Sequence, residues 1–239
     1  DSMGHFPFFM EIGGKKGVIV GGSRVAARKV EKLLPFGPVL TVIAPRIEDC
    51  MRTLEKRPRE QEHGAASLLF AERAFALEDL AGADFVIAAT DEEALNGRIA
   101  EYCQAARIPV NVVDDREKCT FFFPALVKEG ALTVGISTDG KSPVAAAWVR
   151  GKIAGALPDG LGDTIDLLGQ IRPLVMERVP QEADRKRILE KLFLYCLEKE
   201  GKAALEELAA LLAGENLRQD SCAGTEKNSG RQGNGECDE

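Results

Sequence analysis

Between residues 17 and 114, short apolar runs alternate with segments of helical periodicity. The runs predicted as strands are Gly17–Val20, Val39–Ala44, Ser67–Phe70, Phe85–Ala89 and Val110–Val113. Helices are predicted over Val25–Leu34 and from Thr90-Asp91, which suit a helix start, to about Ala106. Near-continuous apolar strands separated by helices are typical of a parallel sheet covered on both faces. We therefore expect a Rossmann-like, doubly wound α/β domain.

The pattern changes after Asp115. Two β-rich runs, Thr120–Pro124 and Ala131–Ser137, predict a hairpin that extends a sheet or pairs with a second subunit. Ser142 suits a helix N-cap and Pro143 the first helical position. Helical patterns follow over 144–157, 161–178, about 181–198 and 202–212. The predicted domains are 1–115 (Rossmann), 116–150 (β-rich), 151–215 (all-helical) and 216–239, a Gly-, Ser- and Asn-rich tail expected to be disordered.

A glycine pair joins the first strand to the first helix. Gly21 suits a tight turn, and Gly22 lets the backbone approach a pyrophosphate at the free N–H groups of the helix start. Ser23 stands where the dinucleotide-binding pattern has its middle glycine. A serine with positive φ would be strained there, whereas with negative φ its hydroxyl can donate to a phosphate. Taken alone, the loop is equally consistent with a plain strand-to-helix turn.

Composition narrows the class of protein. The 239 residues are 45% hydrophobic with a net charge of −7, and no basic block with interleaved aromatics favours nucleic acid. No apolar run reaches the roughly 18 residues of a membrane span, and no signal peptide is evident. The six cysteines form no C-x-x-C pair and only two histidines are present, so reduced thiols in the cytoplasm are expected and a metal site is not.

The carboxyl ends of the strands bring the candidate chemistry together. After the second strand come Pro45 and Arg46; the arginine is either a contact for an adenosine phosphate, which leaves NADP open beside NAD, or a solvated side chain. Thr90 and Asp91 are expected to cap a helix and border the cofactor. Asn96 is either an interface or sheet-edge contact or a solvated helix position.

Asp114 ends the fifth strand, where a nicotinamide would face its substrate. A carboxylate there either acts as a general base, orients a cationic substrate, or only caps a turn. These residues alone leave the alternatives open.

In order, the motifs resemble those of the precorrin-2 dehydrogenase family, the siroheme-synthase N-terminal module that also occurs in bifunctional dehydrogenase/ferrochelatases. They are Phe6-Pro-Phe-Phe, VGGSRVAARK at 20–29, Thr41-Val-Ile-Ala-Pro45, Ala88-Ala-Thr-Asp91 with Asn96, Asn111-Val-Val-Asp114 and STDGKSP at 137–143. The likeness covers about residues 5–200, and it departs from the family's Gly-Gly-Gly loop at Ser23. Thr138 stands where some relatives carry a serine that can be phosphorylated.

The resemblance implies NAD-dependent oxidation of precorrin-2 to sirohydrochlorin on the way to sirohaem, by a homodimer whose middle region, 116–150 here, dimerises. It implies Asp114 as the catalytic residue and cofactor contacts at the glycine loop and after the second strand. The cofactor set is Gly21, Gly22, Ser23, Arg24, Val25, Pro45, Arg46, Thr90 and Asp91. Because precorrin-2 bears eight carboxylates, basic groups should line its cleft. The substrate candidates are Asn111, Arg116, Lys118 and Lys141, with Arg150 and Lys152 as further cations.

Two other functions remain open at this point. One is a bifunctional enzyme that also inserts Fe²⁺ into sirohydrochlorin, in which Asp114 would take pyrrole protons. The other is a non-catalytic, NAD-sensing dimeric module, because Rossmann folds host many functions.

Overall fold

The computed structural model describes residues 5–55 and 67–223, with side chains to residue 214. The chain divides into two compact units, Phe6–Phe123 and a second that starts at Pro124 and includes His5. In the part of the chain that is described, no helix has the length and apolar character to cross a membrane.

The first unit is built on a parallel sheet, as predicted. Its described strands are β1 (Lys16–Val20), β2 (Val39–Ala44), β3 (Ser67–Glu72), β4 (Phe85–Ala88) and β5 (Val110–Val112). Their order is β3-β2-β1-β4-β5, and every pairing is parallel. This Rossmann-like arrangement confirms the fold class expected from the sequence.

Both faces of the sheet are covered, which explains the near-continuous apolar strands. Ile19 and Ile87 lie in one core cluster with α1 (Arg24–Leu33) and α2 (Asp49–Glu55), whereas Val18 and Val86 lie in the other with α3 (Glu93–Ala105). Because successive side chains of a strand point to opposite faces, both parities of each strand must be apolar.

The helix predicted from Thr90-Asp91 begins later, at Glu93, and Glu92 holds the N-cap position. Thr90 is therefore not a helix cap. Its hydroxyl accepts a hydrogen bond from Glu92 N at 3.2 Å, which closes a turn before the helix.

The first unit continues past the predicted boundary at 115. Thr120 N donates to Val110 O at 2.8 Å, and Val110 N donates to Thr120 Oγ1 at 2.8 Å. Phe121 and Phe123 pack against the core of the same unit. These contacts hold residues 116–123 to the sheet.

The hairpin of the second unit departs from its prediction in the first strand only; the second strand, predicted over Ala131–Ser137, is confirmed. Its strands are β6 (Ala125–Glu129) and β7 (Leu132–Ile136), so the segment predicted as the connection forms the first strand. The prediction of the first strand was wrong because Thr120 pairs with Val110, and Phe121 and Phe123 pack in the core of the first unit. The turn is made at Gly130, where φ is +49°.

Four helices follow: α4 (Pro143–Ala154), α5 (Leu161–Arg178), α6 (Glu182–Glu198) and α7 (Leu205–Ala223). The predicted cap is confirmed, because Ser142 Oγ accepts from Ala145 N at 3.1 Å and Pro143 opens α4. The last three helices share an apolar core that includes Ile171 and Leu192. Since α7 runs to Ala223, the first residues of the segment predicted as a disordered tail are helical; residues 224–239 lie outside the described residues.

Candidate active site

A cleft of about 470 Å³ opens at the carboxyl ends of the parallel strands. The strand order reverses between β1 and β4, and ligands of open α/β sheets bind in the crevice at such a switch point. The cleft is lined by Ser23, Val25, Ala89, Thr90, Asp91, Glu93, Asn96, Val112, Val113, Asp114, Asp115 and Lys118. Six of the sequence-predicted site residues are thus brought together.

The two glycines leave no room for a side chain where β1 meets its neighbours. At Gly21, whose φ is +125°, a Cβ atom would lie 2.2 Å from the carbonyl oxygen of Ala89. At Gly22, a Cβ atom would lie 2.3 Å from the carbonyl oxygen of Arg46. The loop is therefore pressed between the ends of β4 and β2, and its shape depends on bare backbone.

Ser23 adopts φ −79° and ψ 171°, so the missing third glycine costs no backbone strain. It occupies the N-cap position of α1, but its side chain makes no cap hydrogen bond. Val25, one residue into the helix, lines the same cleft, whereas Arg24 is exposed outside the lining. The helix start therefore presents N–H groups and a hydroxyl to an anion at the cleft.

Asp114 lies directly beyond β5 and lines the cleft with φ +60°. A non-glycine residue in the left-handed region is uncommon, although Asp is one of the types enriched there. The next residue, Asp115, forms an ion pair with Lys118 Nζ at 2.5 Å and accepts from Lys118 N at 3.3 Å. These bonds lower the pKa of Asp115 and raise the pKa of Lys118, so both groups stay charged near neutrality.

A lysine of α1 approaches this corner of the fold. The Nζ atom of Lys29 lies 4.2 Å from the centre of the Phe123 ring. Burial and the nearby Lys32 lower the pKa of Lys29, while the carboxylate of Asp114 acts in the opposite direction. Lys29 therefore adds positive potential near Asp114.

Asn96, expected from the sequence to be an interface or sheet-edge contact or a solvated helix position, is buried and lies in the cleft wall. Its side chain belongs to the buried face of α3, with Ile99, Ala100 and Cys103, and bonds to Thr90. The signal was available, because 96, 99, 100 and 103 share one helical face and a polar residue on such a face needs a partner.

The remaining predicted residues lie elsewhere. Pro45 and Arg46 are exposed after β2, outside this cleft lining. Asn111 is 4% exposed and donates to Phe121 O at 3.0 Å, away from the lining. Arg116 stacks on the Phe122 ring at 5.2 Å, and Lys141 belongs to the second unit.

Within residues 5–55 and 67–223, no three His, Cys, Asp or Glu side chains form a group that could hold a metal ion.

The fold and cleft define a Rossmann-type nucleotide-binding module. Residues 8–125 match the family model described as putative NAD(P)-binding, and residues 129–156 match the one described as sirohaem biosynthesis protein central. The chain therefore carries, in this order, a putative NAD(P)-binding segment and a segment of the sirohaem biosynthesis central type.

Curated relatives of the chain are siroheme synthases. That of Nitrosospira multiformis is 38% identical over 190 residues, which is 80% of this chain and 39% of the relative. Those of Psychrobacter sp. and Neisseria meningitidis serogroup C are 36% and 32% identical over 191 residues, 80% of this chain and 38% of each relative. The chain thus spans about two fifths of the length of these relatives.

A solved structure titled "SirC, precorrin-2 dehydrogenase" resembles the chain with a TM-score of 0.61 at 20% sequence identity. The match covers 91% of this chain and all of that one. It confirms the fold.

Proposed function

We propose that this protein is a precorrin-2 dehydrogenase, which oxidises precorrin-2 to sirohydrochlorin with NAD⁺ in the synthesis of sirohaem. The observation that carries the proposal is one cleft that holds both a phosphate-type helix start at Ser23 and a strand-end carboxylate, Asp114. The siroheme synthase names of the relatives and the precorrin-2 dehydrogenase title of the structural neighbour support the choice of substrate.

The residues present fit a dinucleotide. The close backbone approach at Gly21 and Gly22 is what a pyrophosphate-binding turn needs. The Ser23 hydroxyl makes no hydrogen bond that caps the helix, so it can donate to a phosphate. NAD⁺, when bound, supplies the acceptor for the hydride that leaves the reduced macrocycle. The free N–H groups of the first turn of α1 would hold the phosphates of the cofactor, because the helix start favours negative charge.

The chain's own chemistry is concentrated at Asp114. Dehydrogenation removes a hydride and a proton from precorrin-2, and the proton needs a base within reach of the macrocycle. The Asp114 carboxylate at the cleft takes that proton and orients the tetrapyrrole. Lys118, held charged by Asp115, supplies a cation for one of the substrate's carboxylates.

Asp114→Asn tests this assignment because it keeps the shape of the side chain and removes the base. We expect the variant to bind NADH as the unsubstituted protein does and to lose at least about a hundredfold in kcat with precorrin-2 made in situ. Asp49→Asn, which neutralises an exposed carboxylate in the first turn of α2, is the matched control and should retain activity. Full activity of Asp114→Asn would remove Asp114 from the mechanism, and NADH binding without turnover by the unsubstituted protein would favour an NAD-sensing module.

We also propose a homodimer in the cytoplasm. Val144 and Trp148, one turn apart on α4, are 81% and 64% exposed, and such an apolar stripe favours burial in a subunit interface. The cysteines described in the structure are free thiols, in keeping with a reducing compartment. Sedimentation equilibrium tests the dimer, with Trp148→Glu expected to shift the mass to that of a monomer.

The same protein preparation can be tested for insertion of Fe²⁺ into sirohydrochlorin. Sirohydrochlorin and Fe²⁺ are mixed with the protein in the absence of NAD⁺ and followed by absorbance. Metal-dependent spectral change accelerated by the protein would extend the function to ferrochelation; an uncatalysed rate would restrict it to dehydrogenation.

A further inference from the structure

Asn96 holds one residue of the cleft wall, Thr90, by three hydrogen bonds. Its Nδ2 donates to Thr90 O at 2.8 Å, and its Oδ1 accepts from Thr90 N at 3.2 Å and from Thr90 Oγ1 at 2.7 Å. The amide is 6% exposed and therefore competes little with water for these partners. Both polar groups of the Thr90 backbone and its hydroxyl are thus tied to a single side chain of α3.

One of these bonds, donated by Thr90 N, holds the 89–90 peptide, and the glycine turn is pressed against that peptide. A Cβ atom on Gly21 would lie 2.2 Å from Ala89 O and 3.3 Å from Thr90 N. Ala89 N in turn donates to Val20 O at 2.8 Å, which joins the end of β4 to the end of β1. A shift of the 89–90 peptide would therefore move directly into Gly21, because the gap between them is already too small for one carbon atom.

We propose that Asn96 is a positioning residue for the dinucleotide: by fixing the 89–90 peptide, it sets the shape of the turn at Gly21 and so the affinity for NAD(H). The inference rests on the proposed function in that the dinucleotide occupies this cleft. Asn96 and Thr90 both line the cleft. The three hydrogen bonds of the Asn96 side chain all go to Thr90, so Asn96 acts on the shape of the turn through that residue.

The experiment measures the NADH dissociation constant by fluorescence, without tetrapyrrole. Asn96→Leu fills similar volume but removes all three bonds, and we expect the constant to rise at least about tenfold, with kcat at saturating NAD⁺ within about threefold. Asn96→Asp keeps the acceptor but places a second oxygen against Thr90 O in place of the donor, so a rise is expected here too; this variant also serves if the leucine variant folds poorly. Thr90→Val keeps the backbone groups that Asn96 binds and should raise the constant less than Asn96→Leu does.

The matched control is Asn111→Leu. Asn111 is also a buried amide of this unit, 4% exposed, but it bonds to Phe121 O outside the cleft lining. We expect this variant to lower the thermal midpoint and leave the NADH constant unchanged, which separates positioning from a merely structural role.

The outcomes distinguish this inference from the proposed function. An unchanged NADH constant in both Asn96 variants, or an equal rise in Asn111→Leu, overturns the inference and leaves the proposed function standing. A rise confined to the Asn96 variants, together with no turnover of precorrin-2 by the unsubstituted protein, supports the inference and rejects the dehydrogenase. No NADH binding by the unsubstituted protein overturns both.

Discussion

Gly21→Ala places one carbon atom where the backbone of β4 already lies. The new Cβ would meet the Ala89 carbonyl oxygen at 2.2 Å and its carbon at 2.7 Å, and φ at this position is +125°. Backbone strain at such a φ costs about 1–3 kcal/mol, and overpacking costs about another 1–3 kcal/mol. We therefore expect a loss of about 4 kcal/mol, a large part of the roughly 5–15 kcal/mol that stabilises a folded domain.

Thermal unfolding followed by circular dichroism measures the effect. A loss of this size should lower the midpoint by about 10 °C in a chain of this length. Gly97→Ala is the matched control, because Gly97 lies within α3 and a Cβ there would find its nearest contact, the end of Lys118, at 3.9 Å. Alanine should stabilise that helix by up to about 1 kcal/mol. A Gly21→Ala midpoint within 2 °C of the unsubstituted protein, with NADH binding intact, would refute the close approach of β1 and β4.

Three further changes have separate expected outcomes. Ser23→Ala should raise the NADH dissociation constant about fivefold, for one lost hydrogen bond of about 1 kcal/mol, without lowering the thermal midpoint, because the hydroxyl caps nothing in the helix; an unchanged constant removes Ser23 from the phosphate site. Arg46→Glu should weaken NADPH binding several-fold more than NADH binding at low salt if Arg46 meets an adenosine phosphate, and equal effects would identify a solvated side chain. The hydrogen-bonded Arg73 guanidinium lowers the pKa of Asp79, so the folded state gains stability above the unfolded pKa and loses it as pH falls through the folded value. Asp79→Asn should therefore be less stable than the unsubstituted protein at pH 7 in urea titrations, with the gap closing below about pH 4; a constant gap would contradict the linkage.

The β1–α1 unit was predictable because its signal is local. An apolar run, a glycine pair and a helical stripe at Ala26 and Val30 all lie within 15 residues, and the structure places each as expected. Ser142 and Pro143 gave an equally local signal, and the cap of α4 is confirmed. Such features depend on local backbone preferences, which residues close together in the sequence determine.

The position of the hairpin and the role of Asn96 depend on contacts with other segments, which a single sequence does not reveal. The run Thr120–Pro124 has strand-like composition, but Thr120 pairs with Val110 and residues 120–123 belong to the first unit, so the strand forms over Ala125–Glu129 instead. The sequence left Asn96 as an interface or sheet-edge contact or a solvated helix position, and the structure shows that it is buried and bonded to Thr90. The side chains of Pro45 and Arg46 remain a prediction as cofactor contacts.

Hydrogen bonds close the segment after β5 into a loop, both at its two ends and within it. Thr120 and Val110 exchange hydrogen bonds where the two ends of the loop meet. Within the loop, Cys119 Sγ accepts from Val112 N at 3.1 Å and lies 3.2 Å from the carbonyl oxygens of Val112 and Asp115. Asp114 therefore lies in a short backbone loop that hydrogen bonds close. Such a loop opens only as a cooperative unit, so the amides of Val110, Val112 and Thr120 should exchange with deuterium together and slowly. The carboxylate would then keep its place between turnovers without a lid to hold it.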